Sequence, residues 1–489
     1  MSSTLTVESH QTHKYPVVRN YIAGQFTSSS GQLLDVLNPG DGSLLSRVPL
    51  SGEPEVAIAV QAARVAFPGW SGTPIKERVQ VFYRYRTLLQ QHRLELASLI
   101  SEEHGKIDSE ADAEVLKAIE LTEFGCSLPQ IVTGQVMEVS RGVECRVDRY
   151  PVGVVASIVP FNFPTMVPHW TIPNAIALGN CMVLKPSELV PLSSLRIAEL
   201  LTESGLPPGV LNLVHGGQAV VEAICDHPGI AAVSFVGSTR VAKLVYRRAT
   251  GALKSALALG GAKNHLFVLP DAIPEVAATG IISSMAGCAG QRCMAGSVML
   301  AVSDTDHIVR RMVDQARGIV PGRDIGPVIS GDARERIERY ISEAVAEGAS
   351  LLLDGRGVSV PGREGGFWIG PTILDHVRPE MSIAREEVFG PVLAVIRVPD
   401  LDRALAIENA SPYGNAASVF TESGGLARYV TERASAGMVG VNVGVPVPRE
   451  PFSFGGWNES RFGTGDITGL GSIEFWTRAK KTTTKWSRA

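Results

Sequence analysis

Between residues 152 and 260, near-continuous apolar runs alternate with helical periodicity, and few architectures accept that pattern. VGVVASIV, CMVLKPS, VLNLVHG, AAVSFVGS and SALALGG read as strands. PNAIALG, SSLRIAELLTESG (closed by Gly205), AVVEAICDH and TRVAKLVYRRAT read as the helices between them. Strands with no polar alternation are covered on both faces, the mark of parallel βαβ units. The segment therefore predicts an α/β, doubly wound parallel sheet, and such sheets bind ligands at the carboxyl ends of their strands.

The flanking segments follow other periods. Residues 53–127 repeat apolar side chains at i, i+3 and i+4, as surface-packed helices do. TGQVMEVSRGVECRVDRYP (133–151) alternates apolar and polar residues, the sign of an antiparallel ribbon. A two-stranded ribbon is marginal alone, so this one is either an edge hairpin or an arm that pairs with another subunit. The terminal EFWTRAKKTTTKW alternates too and is suited to complete a sheet with it. A second βα-rich region spans about 262–440, with strands at LFVLPD, SVMLAV, VLAVIRV and SVFT and helices at 306–317 and 333–348. At 489 residues, more than one domain is expected.

Composition excludes several classes. Lys and Arg number 45 against 49 Asp and Glu, with no basic block, which argues against nucleic acid as a partner. Apolar stretches are broken by Gly or Pro well short of a membrane span. The first fourteen residues show no apolar signal region, lack Arg and carry Glu8, so neither a secretory nor a mitochondrial address is expected. Six cysteines without a CxxC pair fit free thiols in a reducing, cytoplasmic setting. No His or Cys spacing suggests a metal site.

The candidate chemistry centres on Cys293 in AGCAGQRCMAG. Small neighbours let a substrate approach, and the adjacent Arg292 is expected to favour the thiolate; an inert buried thiol is the plain alternative. The dinucleotide fingerprint GxGxxG is absent, and GTGDITG (463–469) has the wrong spacing and context. Gly237-Ser238-Thr239 instead joins a strand to a helix, offering free backbone N–H groups to a pyrophosphate, although Ser or Thr there is also a plain N-cap. In LKPSE, Lys185 is able to reach a ribose or phosphate, and Glu188 favours a free 2′-OH over a 2′-phosphate, hence NAD.

PFNFP (160–164), LKPSE (184–188), FVGST (235–239), ALGGAKNH (258–265), GQRC (290–293) and EEVFGP (386–391) resemble, in order and spacing, the aldehyde dehydrogenase superfamily, from about residue 16 to 486. The resemblance implies a cofactor domain (1–132 and 151–261), a catalytic domain bearing the nucleophile (262–449) and an oligomerisation arm (133–150 and 466–489). By the same resemblance, Cys293 is the nucleophile, and Asn162 with the Cys293 N–H forms the oxyanion hole. Lys185 and Glu188 lie around the adenosine ribose and Ser238 at the pyrophosphate. Glu387 and Phe389 hold the nicotinamide ribose and ring, and Phe161 and Gly237 join the cofactor set.

One position departs from the common pattern. Where ordinary members carry a Glu that activates water, this chain has Ala258, and no carboxylate occurs from Ser255 through Pro270. A general base worth about 10²–10⁴-fold is thereby missing, and a thiol becomes the better acyl acceptor. GAKNH, GQRCMA, PFNFPTMVP and PFSFGGW resemble the CoA-acylating methylmalonate-semialdehyde dehydrogenases, which also lack that Glu. That branch implies NAD, coenzyme A as co-substrate, methylmalonate or malonate semialdehyde as substrate, decarboxylation, and propionyl-CoA or acetyl-CoA as product. It also implies a homo-oligomer, dimer or tetramer, and leaves the route open among valine, β-alanine and inositol breakdown. Arg292 matches the arginine that holds the substrate carboxylate. Lys117 stands where the branch has a second arginine, keeping the charge but losing the planar fork; a solvated helix lysine is the alternative. His265 and His215 are candidate replacement bases, each more simply read as a packed histidine. Two other readings stand beside this one: a hydrolytic aldehyde dehydrogenase that releases free acid, and a non-catalytic binding protein on the same scaffold.

Overall fold

The computed structural model describes residues 13–29 and 31–486. The first twelve residues, with their expected lack of a leader, and the last three of the expected arm lie outside that range.

The apolar runs of 152–260 form one sheet. Its five central strands lie side by side as Leu211–Leu213, Cys181–Lys185, Val154–Ile158, Ala232–Val236 and Ser255–Leu259, all parallel. Strand order reverses between Val154–Ile158 and Ala232–Val236, which opens the ligand crevice expected of a doubly wound sheet. Asn20–Ile22 and Gln25–Thr27 extend one edge antiparallel, and Arg461–Phe462 closes the other. These edge strands have two or three residues, too few to show a period in sequence.

A second, seven-stranded sheet gathers the later strands, including Asn264–Val268, Gly296–Val302, Val392–Val398 and Ala416–Phe420. Only Ser350–Leu353, at its edge, runs antiparallel. The expected helix at 306–317 is Asp306–Arg317, and the one expected at 333–348 runs Gly331–Ala346. Helix Pro274–Ala286 has no counterpart in the sequence reading, because its small apolar residues give no amphipathic stripe (PEVAATGIISSMA). Each sheet has its own apolar core, and the helices of 53–131 pack into the first.

Val143–Pro151 pairs antiparallel with both Gln135–Ser140 and Thr477–Lys485. The three-stranded ribbon is thus present, with one correction. Glu474–Trp476 belong to the helix Gly471–Trp476, because the fully buried Trp476 is drawn into the first core before the strand begins. No helix among the described residues is long and apolar enough to cross a membrane.

Candidate active site

A cavity of about 660 Å³ opens where the carboxyl ends of the first sheet's strands face the second sheet. Phe161, Asn162, Lys185, Glu188, Gly237, Ser238, Cys293, Glu387 and Phe389 all line it. Arg292 and Lys117 do not.

At one end, Lys185 Nζ sits 2.7 Å from Glu188 Oε2. Ser238 is the N-cap of helix Thr239–Gly251, and its hydroxyl makes no capping hydrogen bond. The helix N-terminus and a free hydroxyl together suit a phosphate. Thr239 Oγ1 accepts the Gly261 N–H at 2.8 Å, tying this turn to the end of the Ser255–Leu259 strand. A side chain at Gly261 would displace the Glu387 carboxylate, since a Cβ there would meet Glu387 Oε2.

Towards the thiol, Glu387 Oε1 accepts the Ala262 N–H at 3.0 Å, and burial raises its carboxyl to about 7. Phe389 holds a left-handed backbone (φ 55°), uncommon for a bulky residue, and its ring meets Phe161 edge-on at 5.8 Å. Strain of this kind concentrates at ligand clamps.

Cys293 follows a turn in which Cys288, Ala289 and Gly290 all have positive φ (51°, 53° and 71°). For the two non-glycine residues that conformation costs about 1–2 kcal/mol each. Two side-chain amides grip the Cys293 carbonyl, Asn264 Nδ2 at 2.9 Å and Asn415 Nδ2 at 2.8 Å. Asn162 is buried, and its Nδ2 donates to Gln291 O at 3.0 Å. One bond of that kind leaves the second N–H of the amide for a ligand oxygen.

Arg292 acts on the thiolate in the expected direction, but it is outweighed. Burial pushes the Cys293 thiol up to about 12, the Glu387 carboxylate adds to the rise, and Arg292 offsets only a little. The guanidinium faces elsewhere, donating from Nε to Cys288 Sγ at 3.3 Å and from Nη2 to Glu110 Oε1 at 3.2 Å. Lys117 likewise has partners, Glu450 at 2.7 Å and Glu120 at 3.1 Å. Both candidate carboxylate-holders are therefore already ion-paired with the chain's own carboxylates, at partly exposed positions. The histidines are also settled. His265 and His215 are buried, burial lowers both to about 3, which keeps them neutral, and neither lines the cavity. Ala258 is fully buried in the sheet, paired with Phe235 and Phe462 on the adjacent strands.

A charge test of this arrangement is direct. Glu387→Gln removes a carboxylate that disfavours the thiolate, so the Cys293 pKa should fall. Iodoacetamide alkylation of the free enzyme should then reach half-maximal rate at a lower pH than in the parent, and an unchanged profile would mean that the two groups do not interact.

Sequence reasoning missed Gln291, Asn264, Asn415, Lys106, Glu110 and Glu114. Their signal was weak: ordinary polar residues, whose partners lie as far as 182 positions away.

Comparison with known proteins agrees with this architecture. The model of the aldehyde dehydrogenase family matches residues 26–482. Malonate-semialdehyde dehydrogenase 1 of Geobacillus kaustophilus is 45% identical, covering 96% of this chain and 98% of the relative. Malonate-semialdehyde dehydrogenase of Pseudomonas aeruginosa is 43% identical, covering 96% of each. The crystal structure of methylmalonate-semialdehyde dehydrogenase (DddC) from Oceanimonas doudoroffii superposes with a TM-score of 0.96 at 42% identity, over 97% of this chain and 99% of the other. A Sinorhizobium meliloti structure complexed with NAD, provisionally given the same enzyme name, does so at 0.96 and 39%, over 98% and 99%. The chain belongs to the aldehyde dehydrogenase family.

Proposed function

We propose that this chain oxidises malonate or methylmalonate semialdehyde with NAD and transfers the acyl group to coenzyme A with loss of CO₂. One observation carries the choice of acyl acceptor: Ala258, buried in the sheet, supplies no base to activate water at Cys293. The relatives named for these semialdehydes, similar over nearly the whole chain, support the substrate class.

The cavity's N-terminal helix turn, with Ser238, would take the pyrophosphate, Lys185 and Glu188 the adenosine ribose, and Glu387 and Phe389 the nicotinamide side, with Phe161 and Gly237 completing the wall. Bound there, NAD would supply the hydride acceptor. Cys293 Sγ adds to the aldehyde carbon once its proton has left, and Glu387, which lines the same cavity with its carboxyl raised by burial to about 7, is the proposed acceptor of that proton. The resulting alkoxide is met by the free N–H of the Asn162 amide and the Cys293 backbone N–H. Loss of hydride leaves a thioester on Cys293. When the acyl group carries a β-carboxylate, CO₂ departs and its electron pair enters the thioester carbonyl, forming an enolate that takes up one proton. The CoA thiolate then displaces Cys293. For malonate semialdehyde the balance is semialdehyde, NAD⁺ and CoA–SH to acetyl-CoA, CO₂ and NADH.

Arg292 and Lys117 hold the substrate carboxylate by exchanging partners, Arg292 away from Glu110 and Lys117 away from Glu450. A charge-assisted hydrogen bond is worth about 1.5–3 kcal/mol. Arg292→Gln should therefore raise KM for malonate semialdehyde about 10- to 100-fold and leave KM for propanal near its parental value. Equal effects on both aldehydes would remove Arg292 from carboxylate recognition.

Product analysis tests the substrate assignment. With malonate semialdehyde, NAD and CoA, acetyl-CoA and CO₂ should form in step with NADH, and absence of acetyl-CoA while NADH accumulates would overturn it. Glu387 supports a second reading. A carboxyl raised to about 7 beside the thiol is able to activate water, giving a hydrolytic enzyme that releases free acid. NAD and coenzyme A are the small-molecule partners of the first reading. The exposed strand Gln135–Ser140, with Val136, Met137 and Val139 open to solvent, supports a homo-oligomer built through this arm, and a cytoplasmic setting accompanies the same reading.

A further inference from the structure

A buried charge pair stands behind the oxyanion donor with no role in the chemistry above. Lys106 and Glu114 have fully buried side chains, their charged atoms 2.5 Å apart. Burying an ion pair costs desolvation that its own attraction often fails to recover, and an apolar pair of similar volume is frequently as stable or more so. Stability alone therefore explains this pair poorly.

What the two side chains hold is specific. Lys106 Nζ also donates to the main-chain carbonyl of Asn162 at 2.6 Å and lies 3.8 Å from the centre of the Phe163 ring. Glu114 Oε1 accepts the N–H groups of Thr165 at 2.8 Å and Met166 at 3.0 Å. The pair thus clamps the loop of Asn162 on both sides, and both residues come from one neighbourhood, the turn before helix Asp108–Ile131 and its second turn. At its other end, the Asn162 amide is held by the Gln291 carbonyl. The Gln291 side chain is fixed in turn, its Oε1 accepting the Ile329 N–H at 2.9 Å and its Nε2 donating to Cys288 O at 3.2 Å. Asn162 is pinned at backbone and side chain, so its free N–H points in one direction only.

We infer that Lys106 and Glu114 are positioning residues for the oxyanion hole, fixing the Asn162 amide at the distance from Cys293 that the alkoxide requires. The inference rests on the reading of Asn162 as the alkoxide's donor. A donor displaced by about 1 Å costs on the order of 10²-fold in rate, and a fully buried clamp prevents such drift.

The test uses the full-length enzyme and the NADH burst with NAD and propanal. Lys106→Met combined with Glu114→Gln removes both charges while the Gln carbonyl still accepts the Thr165 and Met166 N–H groups. The burst rate should fall about 10- to 100-fold, with KM for propanal changed less than about threefold and the thermal midpoint close to the parent's. Placed in an Asn162→Ala background, the same pair of changes should have no further effect, since the group they position is gone. Lys106→Gln with Glu114→Gln, a gentler pair of changes should the first fold poorly, because two amides leave no buried charge unpaired, should show a smaller fall with the same dependence on Asn162. A burst within twofold of the parent would overturn the inference, as would an equal fall with and without Asn162. If Asn162→Ala itself leaves the burst intact, the reading of the alkoxide's donor fails instead, and the two failures are told apart by that one control.

Discussion

Cys293→Ser should abolish the NADH burst with every aldehyde, lowering its rate by roughly 10⁴-fold or more. The effect is this large because the serine hydroxyl would have to lose its proton at the same half-buried cavity position that already pushes a thiol up to about 12. An alcohol is far less acidic than a thiol, and no histidine among the described residues lines the cavity to act as its base. Fold and cofactor site should be unaffected, since the oxygen is smaller than the sulfur it replaces and the main chain here is held through its carbonyl by Asn264 and Asn415. NAD binding measured by fluorescence titration should therefore match the parent. A surviving burst would place the nucleophile elsewhere, and Cys288, the other thiol of this turn, would be the first alternative to examine.

The second large effect belongs to Asn162. On the proposed reading, Asn162→Ala removes one of two donors to the alkoxide and should slow the burst by about 10²–10³-fold, the usual result of losing one such donor. The change should fall on the rate of the burst and spare the KM for a small neutral aldehyde, because the ground-state carbonyl carries little charge. Asn162→Asp offers a sharper contrast: it keeps the size but replaces a donor by an acceptor, and it sets a carboxylate against the developing alkoxide. It should be at least as slow as the alanine variant. A burst reduced in the alanine variant but intact in the aspartate one would show that Asn162 fills space and donates nothing.

The sequence made the first sheet legible because its strands are buried on both faces and its helices are bounded by glycine, as at Gly205 (φ 88°). The residues lining the cavity were legible for a related reason. They sit at strand ends, where a doubly wound sheet must bind its ligand, and in motifs whose order matched a known family. The charge relations inside the site were hidden. Arg292 precedes Cys293 in the chain, yet its guanidinium reaches Glu110, 182 residues earlier, and not the thiol. Adjacent side chains in a tight turn diverge, so nearness in sequence overstated Arg292's help to the thiolate, which burial and Glu387 outweigh. Glu387 was expected to touch only the cofactor, whereas burial beside Cys293 makes it a titrating group near neutral pH. Lys106 and Glu114 read as ordinary helix-surface charges, because the loop that buries them arrives from fifty residues or so further along the chain.

These observations converge on the fate of the acyl group. Ala258 leaves water without its usual base at the thioester, while Glu387 is the one cavity carboxylate near the thiol that is raised towards neutrality. Rapid mixing of the enzyme with NAD and propanal, followed by NADH absorbance over a range of CoA concentrations, separates the two releases. A burst of about one NADH per active site, followed by turnover that is negligible without CoA and rises with CoA to saturation as propionyl-CoA forms, is the predicted result. Steady turnover to propionate at the same rate with and without CoA would contradict it.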